Sequence, residues 1–225
     1  MNSKCGLLLS MICLTINLSS CKDENLKPIN GVENGYEYTD LGLSVRWANC
    51  NIGAQTPEEY GFYFAWGEVE AKNVYEWSSY VYYDSEKKTL TKYCVDGKNG
   101  FLDNKKELEL QDDAAHITLG GKWRMATYAE ILELREKCTW ELTMEKGVKG
   151  YKIVGPNGNS IFLPAAGYMF GDNNVAAQGT FAYSWSNSLD EANSEKAYGL
   201  CFNALGVDWE GDYRYYGHTI RPVLP

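Results

Sequence analysis

Apolar residues recur along this chain at two periods, one of three to four residues and one of two, and each period predicts its own kind of element. The helical period is clearest in residues 120–138, GGKWRMATYAEILELREKC. Tyr128, Ile131, Leu134 and Cys138 fall on one side and Glu130, Glu133, Glu136 and Lys137 on the other, which predicts a half-buried helix. Thr127 followed three residues later by Glu130 is a capping box. The hydroxyl accepts from one free amide and the carboxylate from another, so the helix begins at Thr127. Ahead of it, Gly120 and Gly121 mark a turn, and Trp123 and Met125 alternate with Lys122 and Arg124 as a short strand. A second short helix is predicted from Asp112-Asp113-Ala114-Ala115, where a carboxylate can cap free amides and favours the positive end of the dipole.

The two-residue period governs the rest. In residues 40–54, Leu41, Leu43, Val45 and Trp47 lie on one side of an extended run; in 58–70, Phe62, Phe64 and Trp66 stand two apart with Tyr63 and Ala65 between them, ending at Gly67. Tyr151-Lys152-Ile153-Val154 and Ile161-Phe162-Leu163 flank GPNGNS, whose Asn-Gly pair supplies the positive φ of a hairpin turn, and Pro164 ends the second strand. Tyr198, Leu200 and Phe202 alternate with Gly199 and Cys201, and residues 206–209 return as a second hairpin. The last strand, 219–223, contains Pro222, which has no ladder donor, and is therefore expected at a sheet edge. Residues 71–111 read as loop, with an aromatic cluster of Tyr75, Trp77, Tyr80, Tyr82 and Tyr83 and charged runs at 84–88 and 103–109 facing solvent.

Composition adds a core, a leader and a sign of charge. With 225 residues, 44% hydrophobic, the chain suits one domain plus appendages and excludes disorder, while seventeen Tyr, seven Trp and 22 Gly favour a β-rich or loop-rich domain. Residues 1–21 read as a leader: Lys4 is its positive start, and the apolar run 6–18 falls short of the roughly 20 residues that span a bilayer. Leu18-Ser19-Ser20-Cys21 resembles the lipobox of bacterial lipoproteins, which implies a lipid on Cys21 and membrane attachment without a spanning helix. Lys22-Asp23-Glu24 resembles the signal that sends such lipoproteins to the cell exterior, implying an outer-membrane lipoprotein exposed at the surface. Residues 22–35 then form a flexible polar tether, with the domain at 36–225. A formal net charge of −9 repels a polyanion and excludes nucleic acid as partner. Once Cys5 and Cys13 leave with the leader and Cys21 carries lipid, Cys50, Cys94, Cys138 and Cys201 remain, and they allow three disulfide pairings.

The two extended runs and the capped helix, together with SIFLPAAGY (160–168), YSWSNS (183–188) and the terminal RPV (221–223), resemble the major paralogous domain first named from Fibrobacter and common in surface lipoproteins of Bacteroides-type bacteria. Ala126 stands where that family usually has proline, and Cys201 where it usually has an aromatic residue. The short capped helix followed by GGKWRMATYAE also resembles the formylglycine-generating enzymes. Both resemblances imply an α+β, C-type-lectin-like fold: two helices beside a twisted antiparallel sheet with long loops.

Candidate chemistry is sparse. The formylglycine-generating enzymes bind copper through cysteines late in the chain, and here the last third holds Cys201 alone, so the resemblance does not carry that oxidase activity. There is no G-x-S-x-G run, and His116, expected on a helix surface, and His218, expected in a loop, have no C-x-x-C partner for zinc. Asp208, Glu210 and Asp212 share one side of an extended segment but lack the Glu-Pro-Asn type of calcium motif. No enzyme, cofactor or metal is therefore expected. A binding surface is the stronger reading, because Tyr and Trp give large contact area at low entropy cost while Asn, Asp and Ser supply directional hydrogen bonds. The candidates are Trp185, Asn187, Asn203, Asp208, Trp209, Asp212, Tyr213, Arg214, Tyr215 and Tyr216. Of these, Trp185 and Trp209 are expected mainly in the core and the three tyrosines mainly exposed, facing an extracellular glycan or protein ligand. The competing expectations are a catalytically altered relative of the formylglycine-generating enzymes and an adhesive envelope protein with no small ligand.

Overall fold

The computed structural model of the chain describes residues 30–225, apart from the side chains of Trp209 and Glu210. The leader, Cys21 and most of the tether lie outside the described residues. Two α-helices form where the sequence caps them. In α1 (Ala114–Leu119) the Asp113 carboxylate accepts from the His116 amide at 3.0 Å and reaches across to the Met125 amide at 2.9 Å. In α2 (Tyr128–Lys137) the capping box is complete: Thr127 Oγ1 accepts from the Glu130 amide at 3.2 Å, and Glu130 Oε2 from the Thr127 amide at 2.8 Å. Both carboxylate oxygens of Glu130 also take the Arg124 guanidinium, at 2.6 and 2.8 Å. Ile131 and Leu134 are buried, whereas Tyr128 and Cys138 at the two ends are half-buried.

Apart from two single 3₁₀ turns, Trp77–Ser79 and Leu110–Asp112, the other regular elements are strands of antiparallel sheets, so the domain is a sheet-rich α+β fold. One sheet runs in the order Gly31–Glu33, Tyr36–Thr39, Arg46–Ala48, Pro222–Leu224, Arg124–Met125. Beside a three-stranded sheet of Asn174–Ala176, Tyr168–Asp172 and Val74–Tyr75 and a hairpin of Tyr83–Asp84 and Thr89–Leu90, two meanders complete the body. The first joins Thr139–Glu145, Val148–Val154 and Ser160–Pro164 and contains the predicted Asn-Gly hairpin; the second, the tail sheet, joins Phe181–Leu189, Lys196–Asn203 and Gly206–Tyr213 and contains the predicted return. Trp47, Trp66, Trp123 and Trp185 are fully buried and anchor the core. The 75–83 aromatic cluster forms as expected, with Trp77, Tyr80 and Tyr83 in ring contact. All four cysteines of the described residues are free thiols, so none of the three pairings forms.

Four expectations are corrected. The domain begins inside the stretch read as tether: Gly31–Glu33 pairs with Tyr36–Thr39 across Asn34 and Gly35, whose φ values of 54° and 86° suit a two-residue hairpin turn, and the Trp123 indole donates to the Glu33 carbonyl at 3.0 Å. The 40–54 run keeps its alternation in burial, but only Arg46–Ala48 is strand, since Gly42 at φ 76° breaks the extended chain. In the 58–70 run there is no strand and no alternation, because residues 63–66 are all buried, covered on both faces while their backbone bonds to 214–218. Finally, the C-terminal strand is central rather than an edge. Val223 faces Trp47 on one side and Arg124 on the other, and Pro222 heads the strand, where a missing donor leaves no gap in the ladder. Arg221 locks this arrangement from inside, donating to Asn51 Oδ1 at 2.9 Å and to the carbonyls of Ala48, Asn49 and Phe162 at 3.0, 2.6 and 3.0 Å.

Candidate binding surface

The tail sheet ends at Tyr213, and the next residues turn back beside the 62–66 run: Trp66 N donates to Arg214 O at 2.8 Å, and Phe64 and His218 exchange backbone bonds of 2.9 and 3.0 Å. Arg214 holds this turn. Its side chain is 0% exposed, donating through Nε to the Tyr80 hydroxyl at 2.9 Å, through Nη1 to the Tyr93 and Ser194 carbonyls at 3.0 Å each, and through Nη2 to the Lys92 carbonyl at 3.1 Å. The guanidinium also lies 4.8 Å from the Trp66 ring centroid and 5.3 Å from that of Tyr80. Gly217 closes the turn against its neighbours, since a Cβ there would meet the Tyr75 ring at 2.6 Å and Met169 at 2.9 Å.

With Arg214 inside, Tyr213, Tyr215 and Tyr216 are carried on the outside, half-buried, and they join a continuous belt. The rings run Phe181, Tyr183, Tyr168, Tyr216, Tyr215, Trp77, Tyr83, with successive centroids 6.2, 5.2, 5.7, 4.7, 4.8 and 4.8 Å apart. Tyr213 flanks it at 5.7 Å from Tyr215, and Phe170, 38% exposed, at 5.8 Å from Tyr168. Every ring keeps part of its surface in solvent. Burial raises the Tyr215 phenol, and its hydrogen bond with Tyr216 raises it further; Tyr168 is raised by burial and then by Tyr216 and Asp212. These phenols therefore stay neutral and can donate as well as accept.

Beneath the belt lies His218, expected in a loop and found 1% exposed. Its ring stacks on Trp185 at 3.8 Å, and its Nε2 is 3.2 Å from Asp212 Oδ2. Neither ring nitrogen makes a hydrogen bond among the described residues, the approach of Nε2 to Asp212 being a charge contact only. His116 is half-buried at the end of α1, with Nδ1 3.2 Å from the Trp123 carbonyl.

The ten candidate residues divide. Tyr213, Tyr215, Tyr216 and Asp212 meet at the belt. Trp185 is core as expected, its indole donating to the Phe64 carbonyl at 2.8 Å. Asn187 is 7% exposed and stitches the edge of the tail sheet, its amide donating to Ala126 O and its carbonyl accepting from Leu108 N. Arg214, in the interior, is a support and not a contact residue. Asp208 is outward and 3.6 Å from Arg135, and Asn203 lies at the turn end of the tail sheet, far from Tyr213 but directly across from the belt's Phe181. The Trp209 side chain is outside the described part of the chain. Reading the sequence missed Tyr168, Phe170 and Phe181 as belt members, while Tyr183 stood at the head of the aromatic segment 183–216. Their signal was present in the aromatic alternation at 168–170 and 181–183, which only the sheet topology brings beside 213–216.

Cavities open elsewhere among the described residues. One of about 490 Å³ is lined by Cys50, Asn51 and Gln55, one of about 400 Å³ by Leu142, Met144 and Phe202, and one of about 350 Å³ by Glu68, Lys72 and Tyr82. No cluster of three metal-ligating side chains occurs among the described residues. The chain matches no protein-family model, no curated protein and no solved structure.

Proposed function

We propose that this chain is a lipid-anchored binding protein of C-type-lectin-like architecture, displayed at the outer-membrane surface, whose aromatic belt takes an extracellular glycan or protein ligand. The observation that carries this reading is the unbroken run of seven half-exposed rings. Trp77, Tyr83, Tyr215 and Tyr216 rest their inner sides on the core, and the ring surface they leave outside is the kind of aromatic area that recognition uses. The ring planes are rotated from one neighbour to the next by 13°, 73°, 42°, 72°, 56° and 32°, so they do not make one flat plate. A twisted strip suits a single polysaccharide chain whose sugars each offer an apolar C–H face, and the neutral phenols give the hydrogen bonds that such a chain needs. The C-type-lectin-like architecture and the anchor at Cys21 rest on the motif resemblances given above.

A glycan array probed with wild type, Tyr215→Ser and Tyr216→Ser tests the reading, with Tyr36→Ser as a control on an exposed ring outside the belt. The belt variants should lose at least about tenfold in affinity, the scale of a modest contact hot spot, while the control keeps its affinity. A ligand bound equally by all four proteins refutes the assignment.

A further inference from the structure

A cavity lies on the other face of the tail sheet from the belt. The cavity of about 400 Å³ opens between the 139–164 meander and the turn after Lys196–Asn203. Phe202 lines it, and Phe202 pairs with Ala182, so by strand alternation it faces away from the belt's Phe181 and Tyr183. Phe202 is held in place by an edge contact to Tyr151 at 5.1 Å and a tilted one to Trp140 at 6.1 Å. Leu142 and Met144 form the wall, each 55% exposed, an unusual cost for a strand whose other face is polar. Leu205, 97% exposed, stands on the adjoining turn and extends the apolar area.

The polar groups at this cavity are donors. Lys149 lines it with no carboxylate in ion-pair range among the described residues, whereas Lys146 three positions earlier is held by Glu58 at 2.6 Å. Thr180 adds a hydroxyl, whereas Asn203, the register partner of Phe181, is turned by the same alternation toward the belt's face, its Oδ1 accepting from the Leu205 amide at 2.7 Å. An apolar hollow of ligand size with a few convergent polar groups is the ordinary form of a small-molecule site. Here one cation and a hydroxyl stand at an apolar wall, and no acid lines the cavity. We propose that this cavity binds a small amphipathic carboxylate, its apolar body against Leu142, Met144 and Phe202 and its carboxylate on Lys149 and the Thr180 hydroxyl. The site is independent of the belt and of any ligand bound there.

Calorimetric titration of the purified protein with decanoate, decanol and decylammonium, each below its micelle concentration, tests this. Decanoate should bind at one equivalent, about tenfold tighter than decanol, the scale of a charge-assisted hydrogen bond, and decylammonium should be weakest. Lys149→Gln should lower decanoate to the level of decanol and leave decanol unchanged; Leu142→Ser should weaken both. Both replaced side chains are exposed, so the fold is kept. Equal binding of decanol or decylammonium, an unaltered Lys149→Gln, or no binding of decanoate overturns the proposal.

Discussion

Replacing Arg214 with methionine, which is similar in length and volume but has no donors, isolates what the buried guanidinium contributes. In the wild type four acceptors depend on it: the Tyr80 hydroxyl and the carbonyls of Tyr93, Ser194 and Lys92. Each acceptor left unpaired in the interior costs about 1–3 kcal/mol. Against this, no carboxylate pairs with Arg214 among the described residues, so methionine also relieves the desolvation of an unpaired charge, a gain of a few kcal/mol. The loss is larger, because four groups are stranded, and the net expectation is a destabilisation of about 3 kcal/mol. At a urea dependence of about 3 kcal/mol/M for a chain of this size, the unfolding midpoint should fall by about 1 M, read by tryptophan fluorescence. Arg214→Lys should fall between the two, since an ammonium has three donors and no planar fork to lie against Trp66. A methionine variant as stable as wild type would mean that Arg214 does not hold the 213–218 turn, and the account of how the belt is supported would fail with it.

Other consequences follow from the caps, the acids and the thiols. Thr127→Ala removes the acceptor at the start of α2 and should cost about 1 kcal/mol, a fall in thermal midpoint of about 2–4 °C; no shift would show that the capping box is idle. Burial pushes the Glu130 carboxyl up, but the hydrogen bonds from Arg124 and the Thr127 amide outweigh it and hold the group below its usual 4.5. Its stabilisation is therefore present above the unfolded value and lost as pH falls from about 4.5 through the folded value. Glu130→Gln should accordingly lose less stability than wild type over that window in thermal melts, and parallel curves would contradict the assignment. Burial, and then the Glu133 charge, push the Cys138 thiol up to about 11, so at pH 8 it should alkylate far more slowly in the native than in the unfolded protein, followed by mass spectrometry. Reductant should leave the melting curve unchanged, since the four described cysteines are free, and a reductant-dependent midpoint would refute that.

Local signals were legible and long-range ones were not. The Thr127 box, the Asp113 cap and the Asn157-Gly158 turn act between residues a few positions apart, and each forms as its sequence implies. The Asn34-Gly35 turn carried the same signal but stood in a polar stretch that composition marked as tether. Burial of 63–66 on both faces depends on residues 150 positions later, so alternation had no solvent face to report. Pro222 argued for an edge because its strand was taken to start at Thr219; as the first strand residue it is compatible with the centre of a sheet. Arg214 was the hardest position to read. Between two tyrosines in a polar run a charged residue reads as surface, and its acceptors are three backbone carbonyls and a phenol, groups with no charge signature in the sequence. The belt shares this origin, since its rings come from four separate stretches of chain.

Hydroxyl-radical footprinting of the protein with and without its array-identified ligand, read residue by residue by mass spectrometry, examines the belt most directly, because it reports ring accessibility whatever the phenol ionisation. Bound ligand should protect Tyr168, Phe170, Tyr183, Tyr213 and Tyr216 together and leave the exposed Tyr36 and Leu205 as they are in the free protein. Protection that falls outside these rings, with the belt oxidised as readily as before, would contradict the proposal that this surface is where recognition occurs.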